Sequence, residues 1–292
     1  MSSLKVWIKA ARPKTLPFGM APACVGSTLS YHYGFFSWSI FLLCLFSALF
    51  LQIGANFAND VFDYENGADL QNRIGPDRAV ASGTMSSNMM KAGMIVVFAV
   101  AFLFAFPLII KEGSMLALIF LCVVLIAISY SGGPFPLAYL GLGELTNLIF
   151  MAGLPTLMMF YMQTHQFSFA AFWLGICIGG LTSAVMCMNN LRDEITDRES
   201  NKGTLVVRFG QTFGKYEFAF LTLYPFILPW VIIYFFSLPI EIGGVSLLIF
   251  PAIHLVRVTF SAVTPQDFMA IFSQVALLAL FYIIVLSYGL LI

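Results

Sequence analysis

Long apolar stretches alternate with short polar ones along almost the whole chain, at roughly 15–34, 36–58, 88–110, 114–132, 138–162, 168–190, 216–236, 239–256 and 268–291. Each of these nine comes close to the ~20 apolar residues that carry a helix across a bilayer core of about 30 Å. Strand-type alternation is absent, so the pattern predicts a helical bundle and rules out a β-barrel. Two polar interruptions, about 60–87 and 191–215, are longer than the rest. Both begin as continuations of the preceding helix and then meet breakers: Gly67, Gly75-Pro76 and Gly83 in one, Gly203 and Gly210 in the other. Loops of that length in a compact bundle are more often functional than merely connecting, and these two are predicted to cover a site as a polar cap. The chain reads as one domain, 1–292, with an internal echo: the second and sixth spans each run into one of these loops.

Composition sharpens the class. Hydrophobic residues make up 60% of the 292 and charged residues 10%, against about 25% charged in a soluble domain. The reading is an all-α polytopic membrane protein. With nine crossings and a cytoplasmic N-terminus, every basic residue except Lys111 falls on the cytoplasmic side. Four of them (Lys5, Lys9, Arg12 and Lys14) precede a first span too long for a cleavable signal, which predicts an uncleaved signal-anchor. Formal net charge is zero, yet nine of the fourteen acids crowd into 60–77 and 193–199, interleaved with Arg73, Arg78, Arg192 and Arg198. Mixed charge of this kind argues against a nucleic-acid partner and suits a metal with an anion. The five cysteines fall within spans without a CxxC pair and read as packing residues. His32, His165 and His254 are scattered and receive no role. No obligate protein partner is inferred.

The acids carry a repeated pattern. Asn59 and Asp63 are four apart in NFANDVFDYENGAD; Asn189, Asp193 and Asp197 repeat that spacing in NNLRDEITDRES. Such spacing places the side chains on one helical face, with Cβ atoms roughly 5–6 Å apart. Carboxylates stacked this way repel, more so where hydration is poor, unless a cation neutralises them. Hard oxygen ligands suit Mg²⁺, which completes its shell with water and substrate phosphate. As solvated helix ends they would oppose the macrodipole, a placement a purely structural design avoids. The pattern therefore points to an enzyme acting on a phosphorylated lipid in the bilayer.

Around the acids lie candidate anion ligands. Arg73, Arg78, Lys202 and Arg208 can clamp diphosphate oxygens, although topology alone also calls for basic residues here. Tyr64 and Tyr130 can contact substrate or a developing cation, or belong to an interfacial aromatic belt. The turn Ser131–Glu144 lies on the motif side and can wall the pocket. The 31 phenylalanines are mostly lipid-facing bulk; those facing inward would offer π-faces to an allylic cation, each worth up to about 2 kcal/mol when desolvated.

At these residues the chain resembles the UbiA superfamily of intramembrane aromatic prenyltransferases. The resemblance runs nearly end to end, through RPKTLP at 12–17, LQIGANFANDVFDYENGAD at 51–69, RIGPDR at 73–78, YSGGPFPLAYLGLGE at 130–144 and NNLRDEITDRESNKGTLVVRFG at 189–210. The 73–78 and 189–210 segments resemble the naphthoate branch in particular. The resemblance implies nine helices around a central cavity open sideways to lipid, with a cytoplasmic cap, in a bacterial inner membrane. It implies Mg²⁺ as cofactor and Asp60, Asp63, Asp193 and Asp197 as metal-binding aspartates, partnered by Asn59 and Asn189. Many relatives carry a further Asp where this chain has Gly67; Asp69 is the alternative ligand. The implied reaction joins a polyprenyl diphosphate to 1,4-dihydroxy-2-naphthoate with loss of CO₂, with Asp63, Asp193, Asp197 and Arg78 as the catalytic set. Two rivals remain: the same chemistry on another acceptor such as 4-hydroxybenzoate, and a cation transporter, which would place acids at mid-membrane.

Overall fold

A computed structural model describes residues 3–68, 75 and 77–292. Asp69 and Arg73, expected as metal and diphosphate ligands, lie outside the described residues. Every regular element described is helical. In order they are α1 (Ser3–Ala11), α2 (Leu16–His32), α3 (Trp38–Glu65), α4 (Ser87–Glu112), α5 (Ser114–Ser129), α6 (Gly143–Thr164), α7 (Phe169–Arg192), α8 (Glu194–Glu199), α9 (Leu205–Phe209), α10 (Gln211–Phe236), α11 (Ile240–Ser261) and α12 (Pro265–Gly289).

Among the described residues seven of these are long and apolar enough to cross a bilayer: α3, α4, α6, α7, α10, α11 and α12. The chain is a multi-pass membrane protein. The stretches expected at 15–34 and 114–132 form the shorter α2 and α5, of 17 and 16 residues. Local breakers account for the difference. A 3₁₀ turn at Pro13–Thr15 delays α2 and Gly34, at φ 80°, closes the turn after it. Gly113, at φ 88°, precedes α5, and the Gly-Gly-Pro run at 132–134 follows it.

The chain divides into two compact units. The first takes Met1–Met20, Leu42–Gly143 and Ile195–Thr204. In it α3 and α4 approach closely: a Cβ on Gly54 would lie 2.4 Å from the Phe98 ring. The Ser47 hydroxyl donates to the Ala101 carbonyl at 3.1 Å, and Phe46 and Phe50 stack on Phe104. The amphipathic α1 lays Trp7 over Gly93 of α4, with its ring 5.3 Å from that of Phe57 on α3. Asn56 caps the end of α1 by donating to the Ala11 carbonyl at 2.9 Å.

The second unit takes Ala21–Phe41, Glu144–Glu194 and Leu205–Ile292. Its centre is α7, in which 17 of 24 residues are buried. Gly175 and Gly180 let α6 and α10 come so close that added Cβ atoms would meet neighbours at 2.6 Å. Two prolines four apart mark α10: Pro229 has no N–H for the Pro225 carbonyl, and the buried Tyr282 hydroxyl donates to that carbonyl instead. A π-helical segment, Asn147–Gly153, interrupts α6. There the Asn147 amide donates to the hydroxyls of Thr182 and Ser183 on α7 at 2.8 and 2.9 Å.

Candidate functional site

In the first unit the last turns of α3 carry Asn59, Asp60 and Asp63, and each finds different company. The Asn59 side-chain amide oxygen accepts from the Ser131 hydroxyl at 2.9 Å, while the Asn66 side chain donates to the Ser131 carbonyl at 2.8 Å. This ties the turn after α5 onto the motif. The Asp60 carboxylate accepts two successive backbone amides, Ala79 N–H at 3.1 Å and Val80 N–H at 3.0 Å. Asp63 is 2% exposed and is surrounded by side chains. Arg78 Nη2 donates to Oδ2 at 3.0 Å, the Tyr139 hydroxyl donates to Oδ1 at 3.3 Å, and Lys202 Nζ stands 3.8 Å away.

Lys202 links this carboxylate to the second motif's last acid. After α8, Asn201 adopts φ 57°, the left-handed conformation that Asn tolerates. The chain then doubles back, with Lys202 N–H donating to the Asp197 carbonyl at 2.8 Å. The Lys202 ammonium comes to 3.7 Å from Asp197 Oδ1 and lies 5.7 Å over the Tyr139 ring. Asp197 is 4% exposed. Asp63, Asp197, Arg78 and Lys202 thus bring two carboxylates and two cations together, largely out of solvent. Burial, followed by the Asp63 carboxylate beside it, pushes the Tyr139 hydroxyl well above the ordinary tyrosine value. Tyr139 is therefore a neutral donor across the working pH range.

In the second unit α7 ends at the other copy of the motif. Asn190 donates to Glu144 Oε1 at 2.6 Å. Asp193 sits at the C-cap, its N–H bonded to the Asn189 carbonyl. The Arg192 guanidinium forks onto the Asp193 carboxylate at 2.7 and 2.6 Å, a charge-assisted bidentate pair. Asn189 is half-buried, and Arg208 is exposed on α9.

Of the residues expected from sequence, the first unit brings together Asn59, Asp60, Asp63, Arg78, Asp197 and Lys202. Tyr64 is 45% exposed. Tyr130 is half-buried, and its carbonyl accepts from Ala138 N–H at 2.9 Å. The tyrosine on the motif is Tyr139, which sequence reasoning passed over; its only signal was its place in the turn expected to wall the pocket. Ser131 and Glu144 bound that same turn, the first bonded to Asn59 and the second to Asn190.

Among the described residues no three Asp, Glu, His or Cys side chains already converge as a metal-ligand set. The donor chemistry nevertheless suits a hard divalent ion. Asp63 and Asp197 share a protein cation, and an ion can replace it, completing its shell with water and phosphate.

The sequence profile described as the UbiA prenyltransferase family matches residues 19–274. A Haemophilus influenzae protein named 1,4-dihydroxy-2-naphthoate octaprenyltransferase is 36% identical over 220 residues, 73% of this chain and 71% of that protein. The apo structure of a UbiA homologue from Aeropyrum pernix K1 matches with a TM-score of 0.72 at 16% identity, over 95% of this chain and 97% of that one. A UbiA homologue from Archaeoglobus fulgidus bound to GPP and Mg²⁺ matches with a TM-score of 0.62 at 17% identity, over 98% and 99%. At those identities the two structures establish the fold alone.

Proposed function

The chain belongs to the UbiA prenyltransferase family, and from that premise we propose that it transfers a polyprenyl group from polyprenyl diphosphate to 1,4-dihydroxy-2-naphthoate. Carbon dioxide is lost, and the product is demethylmenaquinone in its reduced form. The observation that carries this reading is the buried group of Asp63, Asp197, Arg78 and Lys202, two cations held on two carboxylates. The name of the Haemophilus relative supports the naphthoate acceptor, and the Mg²⁺ bound to the Archaeoglobus homologue supports the metal.

Mg²⁺, when bound, neutralises diphosphate oxygens and stabilises the departing pyrophosphate. In the first unit Asp63 and Asp197 would hold one ion; in the second, Asn189 and Asp193 offer the same kind of hard oxygen ligand. Arg78 and Lys202 exchange carboxylate oxygens for phosphate oxygens and orient the diphosphate. As the allylic C–O bond breaks, its electron pair leaves with the pyrophosphate, and the two cations meet the charge that develops there. Tyr139 presents its ring on the same side as the Lys202 ammonium, and its hydroxyl fixes Asp63. The acceptor ring attacks the carbocation, and the C–C electrons freed by CO₂ return to the ring. Exclusion of water by the apolar surroundings protects the cation from hydrolysis.

The wider architecture belongs to the same proposal. One domain, 1–292, has α2 and α5 completing nine crossings in a bacterial inner membrane, since 17 residues is about the lower limit for a crossing. The N-terminus and the polar segments near 60–87 and 191–215 are cytoplasmic, the latter forming a cap.

The test is direct. Detergent-purified protein is incubated with Mg²⁺, a polyprenyl diphosphate and either dihydroxynaphthoate or 4-hydroxybenzoate, and products are identified by mass. A prenylated naphthoquinone with CO₂ release, abolished by chelation, is expected. Prenylated hydroxybenzoate would overturn the acceptor and keep the chemistry.

A further inference from the structure

We propose that Asp60 is a positioning residue, which latches the 77–85 turn to the end of α3 so that Arg78 reaches Asp63, and that it is not a ligand of the divalent ion. This deepens the reading above, which left Asp60 without a role, and rests on it for the identity of the reaction.

The turn is closed upon itself before Asp60 touches it. The Ala79 carbonyl accepts from Met85 N–H at 3.1 Å and from the hydroxyls of Ser82 and Thr84 at 3.3 and 3.0 Å. Ser82 N–H bonds to the Arg78 carbonyl and Gly83 N–H to the Val80 carbonyl, both at 3.0 Å, with Gly83 at φ 69°. Ala79, Val80 and Met85 are buried. What this compact turn offers to α3 is a pair of successive amides, and Asp60 accepts one on each oxygen. Paired backbone N–H groups of this kind form a fixed anion cradle. Fixing Ala79 N–H also fixes the Cα of Arg78, the residue before it. Asp60 and Asp63 are three apart and share a face of α3, so one carboxylate holds the backbone of the turn and the other receives its guanidinium.

The two carboxylates differ in what an incoming ion would leave behind. Asp63 has charged side-chain partners, and Arg78 and Lys202 can turn to phosphate when a metal takes their place. The partners of Asp60 are backbone amides, and a buried amide stripped of its acceptor is costly. Asp60 is also 1% exposed, whereas Mg²⁺ ordinarily keeps several waters.

Amide exchange at Ala79 and Val80 in the unmodified protein, with and without Mg²⁺ and inorganic pyrophosphate, separates the roles. The latch predicts protection within about twofold in both conditions; a ligand role predicts acceleration by about tenfold or more as Mg²⁺ draws the carboxylate away. Asp60→Asn retains one acceptor oxygen and points an amide N–H₂ at the other backbone donor. In this variant exchange across 77–85 should accelerate about tenfold and KM for the diphosphate rise about tenfold, with kcat within about threefold. Mn²⁺ affinity, read by electron paramagnetic resonance titration, should stay within about twofold of the unmodified protein, and in an Arg78→Ala background Asp60→Asn should add almost nothing to KM. Loss of Mn²⁺ affinity as deep as in Asp63→Asn, or undisturbed protection of the turn, would overturn the latch. Should the unmodified protein make no prenylated product, the functional reading fails, while exchange and Mn²⁺ titration still decide the role of Asp60.

Discussion

The two copies of Asn-x-x-x-Asp have the same spacing and opposite local designs. At the first, Asp63 lies inside α3, and its partners come from far along the chain: Arg78 is 15 residues away, Tyr139 is 76, and Lys202 is farther still. At the second, Asp193 ends its helix and receives both arms of the preceding residue's guanidinium, that of Arg192. A carboxylate paired with distant elements organises the fold around it. A pair between neighbours in sequence does not by itself draw a distant element in. Identical spacing therefore specifies the face of the helix and leaves open what that face does for the rest of the molecule.

The largest expected effect falls on both motifs. Asp63→Ala and Asp193→Ala should both reduce prenyl transfer by about 10³-fold or more, since each removes charge at the reacting diphosphate. Each also withdraws a carboxylate from a buried guanidinium, Arg78 or Arg192, and breaking one buried pair costs about 3–5 kcal/mol. Thermal unfolding in detergent should show a Tm roughly 10 °C lower for either variant. A drop of only a few degrees in one variant alone would mark that motif as the one whose guanidinium readily takes another anion.

Arg78→Ala comes next, with kcat/KM falling about 10²-fold. Arg78→Lys should recover little, since a single ammonium cannot reproduce the fork. Lys202→Ala is expected to act in two directions. KM for the diphosphate should rise about tenfold, while Mn²⁺ binding without diphosphate should tighten severalfold, because Lys202 then no longer competes for Asp63 and Asp197. Weaker Mn²⁺ binding in that variant would remove the argument that Lys202 occupies the place of an ion.

The membrane class, the polar segments and the acidic pairs were legible because each rests on local periodicity: an apolar run long enough to cross, or carboxylates one turn apart. What faces those carboxylates was not. Nothing near Asp63 in sequence names Tyr139, and nothing near Asp60 predicts that its partners are the amides of Ala79 and Val80, because those pairings depend on how a distant turn folds. The family resemblance implies a metal role for Asp60 from the motif alone, and the two amides that its carboxylate accepts are what the motif does not carry. The short α2 and α5 show the same limit: hydropathy measured their apolar length, but Gly34 and the Gly-Gly-Pro run at 132–134 lie where the helices stop.

The smallest expected effect isolates the sequence-silent member of the first site. Tyr139→Phe keeps the ring under Lys202 and removes the hydroxyl that donates to Asp63 at 3.3 Å. A bond of that kind contributes about 1 kcal/mol, so activity should fall about fivefold. The pH profile discriminates further. Burial and Asp63 raise the Tyr139 hydroxyl above its ordinary value, so it stays protonated through pH 10, and the stability it lends is lost only above that. The alkaline limb of kcat/KM below pH 10 should therefore be the same in Tyr139→Phe and the unmodified protein. A limb that disappears in Tyr139→Phe would show that Tyr139 ionises in the working range and acts as a base, not as the neutral donor its surroundings make it.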